Sequence, residues 1–151
     1  MSNPDAPSFA DTITVRDGCL CLHLQRAARA LARRFDAVFR PFGLTSGQFS
    51  LLMSLNRPQP PTIGSVAALL AMDRTTLTAA LKPLERRGLV TISVDAADRR
   101  SRLLALTADG RARLAAALPA WREAHAAIDR EVGAGAPADA SHLRTQLRAL
   151  S

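Results

Sequence analysis

Several things are missing from this chain, and each absence narrows what it can be. No apolar run approaches the roughly 20 residues a helix needs to cross a bilayer, so a membrane protein is not expected. No phosphate loop, HExxH, CxxC or Ser/His/Asp order is present, and three histidines leave few general bases, so an enzyme is not expected either. Residues 1–17 carry Asp5, Asp11 and Asp17 and show no basic-then-apolar leader pattern, which makes the expected location the cytoplasm. Cysteine is scarce. Cys19 and Cys21 are the whole supply, and in a reducing compartment they read as free thiols and not as a structural bridge. The sequence calls for no cofactor.

What is present is apolar content and positive charge. With 48% hydrophobic residues among 151, the chain can bury a core as one domain with appended helices. The net charge of +7 and the isoelectric point near 11.3 favour a polyanionic partner, nucleic acid before membrane surface. Nineteen of the twenty basic residues are arginine, as a GC-rich genome would produce. The position of the charge therefore decides more than its amount.

Periodicity organises the chain. Residues 1–17 hold Pro4 and Pro7 and no repeat, and read as a flexible arm with a short helical turn around 11–16. Leu20, Leu24, Ala27, Leu31, Phe35 and Val38 then recur in steps of three and four, the stripe of a long amphipathic helix over 19–39. Pro41 and Gly43 stop it. Thr45 and Gln48 form a capping box for a helix over 46–55 that buries Phe49, Leu52, Met53 and Leu55. A shorter helix starts at Thr62. Asp73 caps the next, over 74–87, and Gly88 ends it. Residues 89–94 and 103–106 read as paired strands around a charged tip at 95–102. Thr107 caps a long helix to about 133, residues 135–140 make a turn, and a last helix over 141–150 aligns Leu143, Leu147 and Leu150.

The informative stretch is 62–107: short helix, tight turn at Ala71-Met72, second helix, hairpin. Such a pair lets one helix brace another in the major groove. Leu77, Leu81 and Leu84 share one face of the second helix, which leaves Arg74, Thr75, Thr78, Ala79 and Lys82 on the other. These types suit groove work: arginine can bond a guanine edge twice, threonine can meet a thymine methyl, and alanine permits close approach. Pro83 removes one helical hydrogen bond and should bend the last turns. At the hairpin tip, Arg99, Arg100 and Arg102 suit a narrow minor groove, with Asp98 placed to orient an arginine by a charge-assisted bond. An ordinary solvated turn would also carry such charges. Its place after a helix-turn-helix favours the wing.

The run from Ala67 to Leu77, then Leu84 to Val90, Asp98-Arg99-Arg100 and Leu106-Thr107 resemble the MarR family of bacterial regulators, as do Gly43-Leu44-Thr45 and Gln48-Phe49. The resemblance covers roughly residues 19–133. It implies a mainly α fold with a small β-hairpin wing, a winged helix-turn-helix with N- and C-terminal dimerisation helices. Residues 45–107 would bind DNA, and 18–44 with 108–151 would form the dimer. It further implies that Asp98 and Arg100 match the family's wing pair, and that Ser65, Thr75, Thr76 and Thr78 fall where members touch phosphates and bases. The implied function is a repressor that reads a pseudo-palindromic operator as a homodimer. A long apolar stripe outside 45–107 suits that interface, although one chain could also fold the same helices back on itself.

The signal is less determined. Residues two apart on a helix point about 200° apart, so a helical Cys19 and Cys21 would not share a metal ion, and Cys19 with His23 gives too few ligands. No metal site is expected. Buried inert thiols and redox sensing remain as readings. Cys21 precedes Thr45 by 24 residues (45 − 21), a spacing similar to that of the reactive cysteine in the family's organic-peroxide-sensing branch. That branch holds its thiolate with tyrosines, and this chain has none. The expected effector is a small molecule or an oxidant; His23, Phe42, Phe49 and Trp121 could line a pocket, although plain core is the stronger reading of each. The competing class is a winged-helix protein-interaction module without DNA binding, against which the basic wing and exposed Arg74 and Lys82 argue.

Overall fold

The computed structural model describes residues 6–134 and 139–151. Contacts divide the chain into two units, Met1–Arg34 and Phe35–Ser151.

The first unit contains helix α1, Phe9–Gly18. It is longer than the turn expected at 11–16, because Ser8 and Asp11 form a capping box that the sequence reading missed. The Ser8 hydroxyl accepts from the Asp11 N–H at 3.2 Å, and the Asp11 carboxylate accepts from the Ser8 N–H at 2.8 Å. Those bonds hold the Asp11 carboxyl below the usual carboxylate range. Cys19 is extended (φ −76°, ψ 104°) and separates α1 from α2, Leu20–Phe39. Residues 1–5 of the expected arm lie outside the described residues.

The second unit carries the core. A 3-10 turn, Arg40–Phe42, ends on Gly43 at φ +65°, a left-handed conformation that favours glycine. Helix α3, Ser46–Leu55, opens on the expected Thr45–Gln48 box. It buries Leu51 where the pattern suggested Met53. Met53 instead lies 37% exposed at the rim of an apolar cavity. Helix α5, Arg74–Arg86, is capped by Asp73 as expected, and helix α4, Ile63–Leu69, by Thr62, which stands just before its first residue. The turn between them closes with the Met72 N–H donating to the Ala67 carbonyl at 2.9 Å. Helix α5 continues through Pro83 to Arg86.

Strands β1 (Val90–Val94) and β2 (Arg102–Leu106) form an antiparallel hairpin with Val90 opposite Leu106. The middle of β2 is pinned to the start of α4, an attachment that no sequence period announces. The Leu104 N–H donates to the Pro61 carbonyl at 2.9 Å, and Thr62 bridges to Leu103. Helix α6, Ala108–Ala134, starts under Thr107, whose hydroxyl donates to the Gly88 carbonyl at 2.6 Å and accepts from the Gly110 N–H at 3.0 Å. Thr107 thus ties the exit of α5 to the entrance of α6. Helix α7, Ala140–Arg148, is capped by Asp139 and held to α6 by the Arg144–Asp129 ion pair at 2.9 Å. Residues 135–138 of the expected turn lie outside the described residues.

The buried core runs from Phe39 and Leu44 through Phe49, Leu52 and Leu55 to Leu77, Leu81, Leu84, Leu104 and Leu106. Burying apolar area of this kind is the main favourable term in folding. A ladder of rings extends from it: Phe35 to Phe39 at 5.7 Å, Phe39 to Phe49 at 4.2 Å, Phe49 to Trp121 at 6.5 Å and Trp121 to His125 at 4.8 Å.

Candidate nucleic-acid interface

The two faces of α5 separate as its spacing predicts. Leu77, Leu81 and Leu84 are 0% exposed, while Arg74, Thr75, Thr76, Thr78, Ala79 and Lys82 are all exposed. Not every polar group on that face is idle. The Asp73 carboxylate accepts from the Thr76 N–H at 2.8 Å and from the Thr76 hydroxyl at 2.6 Å. The Thr76 side chain therefore belongs to the helix cap. The same bonds hold the Asp73 carboxyl below its ordinary range. The Thr78 hydroxyl donates to the Arg74 carbonyl at 2.7 Å and keeps its acceptor lone pairs outward. The Ser65 hydroxyl donates to the Thr62 carbonyl at 3.0 Å.

The hairpin corrects one expectation. Asp98 does not orient an arginine side chain. Its carboxylate accepts from the backbone N–H of Arg100 at 3.0 Å, and its carbonyl accepts from the Ser101 N–H at 2.8 Å. An aspartate two residues before an N–H closes an Asx turn, and that local bond wins over a long flexible ion pair at an exposed tip. Arg102 folds back, its guanidinium donating to the carbonyls of Arg99 and Ser101 at 3.1 and 3.2 Å. Arg99 and Arg100 stay exposed at the tip.

Helices α4 and α5 and the hairpin enclose a polar cleft of about 370 Å³, lined by Thr62, Ile63, Gly64, Arg74, Thr78, Asp98, Arg100, Ser101 and Arg102. Three arginines and one carboxylate share it, so it suits an anion. Ser65, Thr75, Lys82 and Arg99 lie outside its lining. Two further arginines brace the turn at Phe42 and Gly43. Arg87, just after α5, donates to the Gly43 carbonyl at 2.7 Å, and Arg113 of α6 donates to the Phe42 carbonyl at 3.0 Å. Neither was legible as a brace in the sequence, because both bonds span tens of residues.

A second cavity, also about 370 Å³ and mostly apolar, lies between α3, α4 and α6, lined by Phe49, Ser50, Met53, Ser54, Leu69, Leu70, Leu118 and Trp121. It brings together Phe49 and Trp121 from the expected effector set and leaves Phe42 out. In the first unit, Cys19 is half-buried and Cys21 exposed. The Cys19 sulfur accepts from the Leu22 N–H at 3.4 Å, and the Cys21 sulfur accepts from the Gln25 amide at 3.2 Å. Because Cys19 is extended, the helical argument for divergent thiols does not hold for this pair. The His23 ring bonds the Cys19 carbonyl at 2.8 Å.

A family model described as the MarR family matches residues 44–101. The transcriptional regulator MosR of Mycobacterium tuberculosis, solved in complex with DNA, is 39% identical, with a TM-score of 0.76 over 87% of this chain and 92% of that one. The chain belongs to the MarR family. The fold of this MarR-family protein is also shared by CouR, a transcriptional repressor solved on a 23-mer DNA duplex, at 30% identity and a TM-score of 0.70 over 90% of this chain and 92% of that one. Among curated relatives, the organic hydroperoxide resistance transcriptional regulator of Bacillus subtilis is 31% identical over 91 residues, 60% of this chain. The match spans 62% of that relative's length. Among the described residues, no helix is long and apolar enough to cross a membrane.

Proposed function

We propose that this protein is a sequence-specific DNA-binding transcriptional repressor that reads a pseudo-palindromic operator as a homodimer and plays no catalytic part. The observation that carries this reading is the exposed polar face of α5 set beside a hairpin whose arginines share one cleft with it. A helix of that kind enters the major groove, while a basic hairpin tip reaches the neighbouring minor groove or backbone. MosR and CouR, both solved on DNA, support the same assignment. Residues 45–107 form the reading unit. Residues 18–44 and 108–151 form the dimer, and Arg74, Thr75, Thr78, Lys82, Arg99 and Arg100 supply the contacts, with Ser65, Thr76, Asp98 and Arg102 shaping them. Release follows ligand entry into the apolar cavity or oxidation of Cys21, the exposed thiol.

A mobility shift on duplex selected by the protein from a random pool tests this. Affinity should fall steeply with salt. Arg100→Ala should weaken binding about eightfold at 0.1 M salt and lower the slope by about one. A protein that selects no duplex is an interaction module instead. Repeating the shift with cumene hydroperoxide separates the two signals: release that survives Cys21→Ser removes the thiol from the mechanism.

A further inference from the structure

Arg74 is the first residue of α5, and the sequence makes it a base reader. Its side chain does not point out from the front of the helix. The guanidinium lies against α4 at Gly64. A Cβ built on Gly64 would sit 2.9 Å from Nη2, 3.5 Å from Cζ and 3.7 Å from Nε of Arg74. The long edge of the guanidinium therefore occupies the space that any other residue at position 64 would fill. No ion pair among the described residues accounts for this placement. The Asp73 carboxylate is committed to the Thr76 N–H and hydroxyl, and Asp98 is committed to the backbone of its own turn. No hydrogen bond or ion pair engages the Arg74 guanidinium among the described residues.

The placement divides the exposed face of α5. Arg74 and Thr78, one helical turn apart, both line the cleft shared with the hairpin, and Thr75, Ala79 and Lys82 do not. A guanidinium swept into a cleft with Arg100 and Arg102 adds positive charge where a backbone strand would pass between helix and hairpin. It is withdrawn from the base edges that the front of α5 would meet.

Resting on the DNA-binding reading above, we propose that Gly64 is a positioning residue that seats Arg74 as a phosphate clamp across α4, α5 and the hairpin, leaving base discrimination to Thr75, Ala79 and Lys82. Gly64 contributes by lacking a side chain. Alanine there suits a helix better than glycine does, and the only group it would displace is the far end of a flexible side chain. The fold should hold while the arginine moves.

The test uses the full-length chain, duplex selected from a random pool by the wild-type protein, and a scrambled duplex of the same composition. Gly64→Ala should keep or raise Tm. It should weaken both duplexes by the same three- to eightfold at 0.1 M salt and lower the salt slope by up to one, the signature of a lost phosphate contact. Arg74→Ala should weaken both about eightfold, and adding Gly64→Ala to it should change nothing more. The proposal is overturned if Gly64→Ala binds like wild type while Arg74→Ala does not, or if the two losses multiply. It is also overturned if Arg74→Ala loses discrimination at one base pair with an unchanged slope, which is what a base reader would do. A wild-type protein with no salt-dependent binding to either duplex would instead refute the DNA-binding reading itself.

Discussion

Two leucine triplets with the same spacing meet opposite fates. Leu77, Leu81 and Leu84 of α5 are 0% exposed. Leu143, Leu147 and Leu150, in and just after α7, stand 40, 37 and 63% exposed. Steps of three and four say that a helix has an apolar face, but not what covers it. In α5 the cover includes the chain's own α4 and β1. In α7 the face stays open, as do Leu20 of α2 (60%) and Phe9 of α1 (76%). Exposed apolar stripes of this kind mark association surfaces. We therefore propose that one triplet builds the reading unit and that the other is left for a second subunit.

The contrast is broken most directly from the closed side. Leu81→Ala should cost about 2–5 kcal/mol, because the cavity it leaves cannot collapse among fully buried neighbours. Chemical denaturation measures the loss, and a cost under about 1 kcal/mol would mean that the site is not packed. On the open side, Leu143→Asp with Leu147→Asp should leave denaturation nearly unchanged in a single chain but convert dimer to monomer by sedimentation. Duplex affinity should then fall on the order of a hundredfold as the second half-site is lost. A double variant that stays dimeric would place the interface elsewhere.

Much of this was legible in the sequence because it is local. The caps at Thr45, Asp73 and Thr107, the strand pair and the two faces of α5 all follow from residues within a few positions of each other. What was not legible comes from pairs far apart in the chain or from competition between partners. Asp98 could have bonded an arginine side chain or its own turn, and composition does not rank the two. The Arg87 and Arg113 braces, and the Pro61 attachment of the hairpin, join segments tens of residues apart. Gly64 gave no signal at all, since a glycine in a short helix looks like a weakness until the guanidinium beside it is seen. Helix α1 is also local: Ser8 and Asp11 carry the same capping box as Thr45 and Gln48.

The smallest effect lies in the turn that joins α4 to α5. Three described residues adopt left-handed backbone: Gly43 at φ +65°, Gly88 at φ +68° and Ala71 at φ +51°. Glycine accepts that region freely, whereas an L side chain there costs about 1–2 kcal/mol. Ala71 is exposed, so its methyl has little packing to offset the strain. Ala71→Gly removes the strain but loosens the unfolded chain by roughly 0.4–1 kcal/mol. The net should be a gain of about 0.5 kcal/mol, or one to two degrees in Tm for a chain of this length. Gly88→Ala, at nearly the same φ with open space around its Cβ position, should move Tm down instead. Duplex affinity should be unchanged in Ala71→Gly, because the turn keeps its shape and no proposed contact residue moves. If Ala71→Gly lowers Tm, or weakens duplex binding at constant Tm, then the alanine is rigidifying the approach of α4 to α5, and the turn belongs to the reading machinery instead of only connecting it.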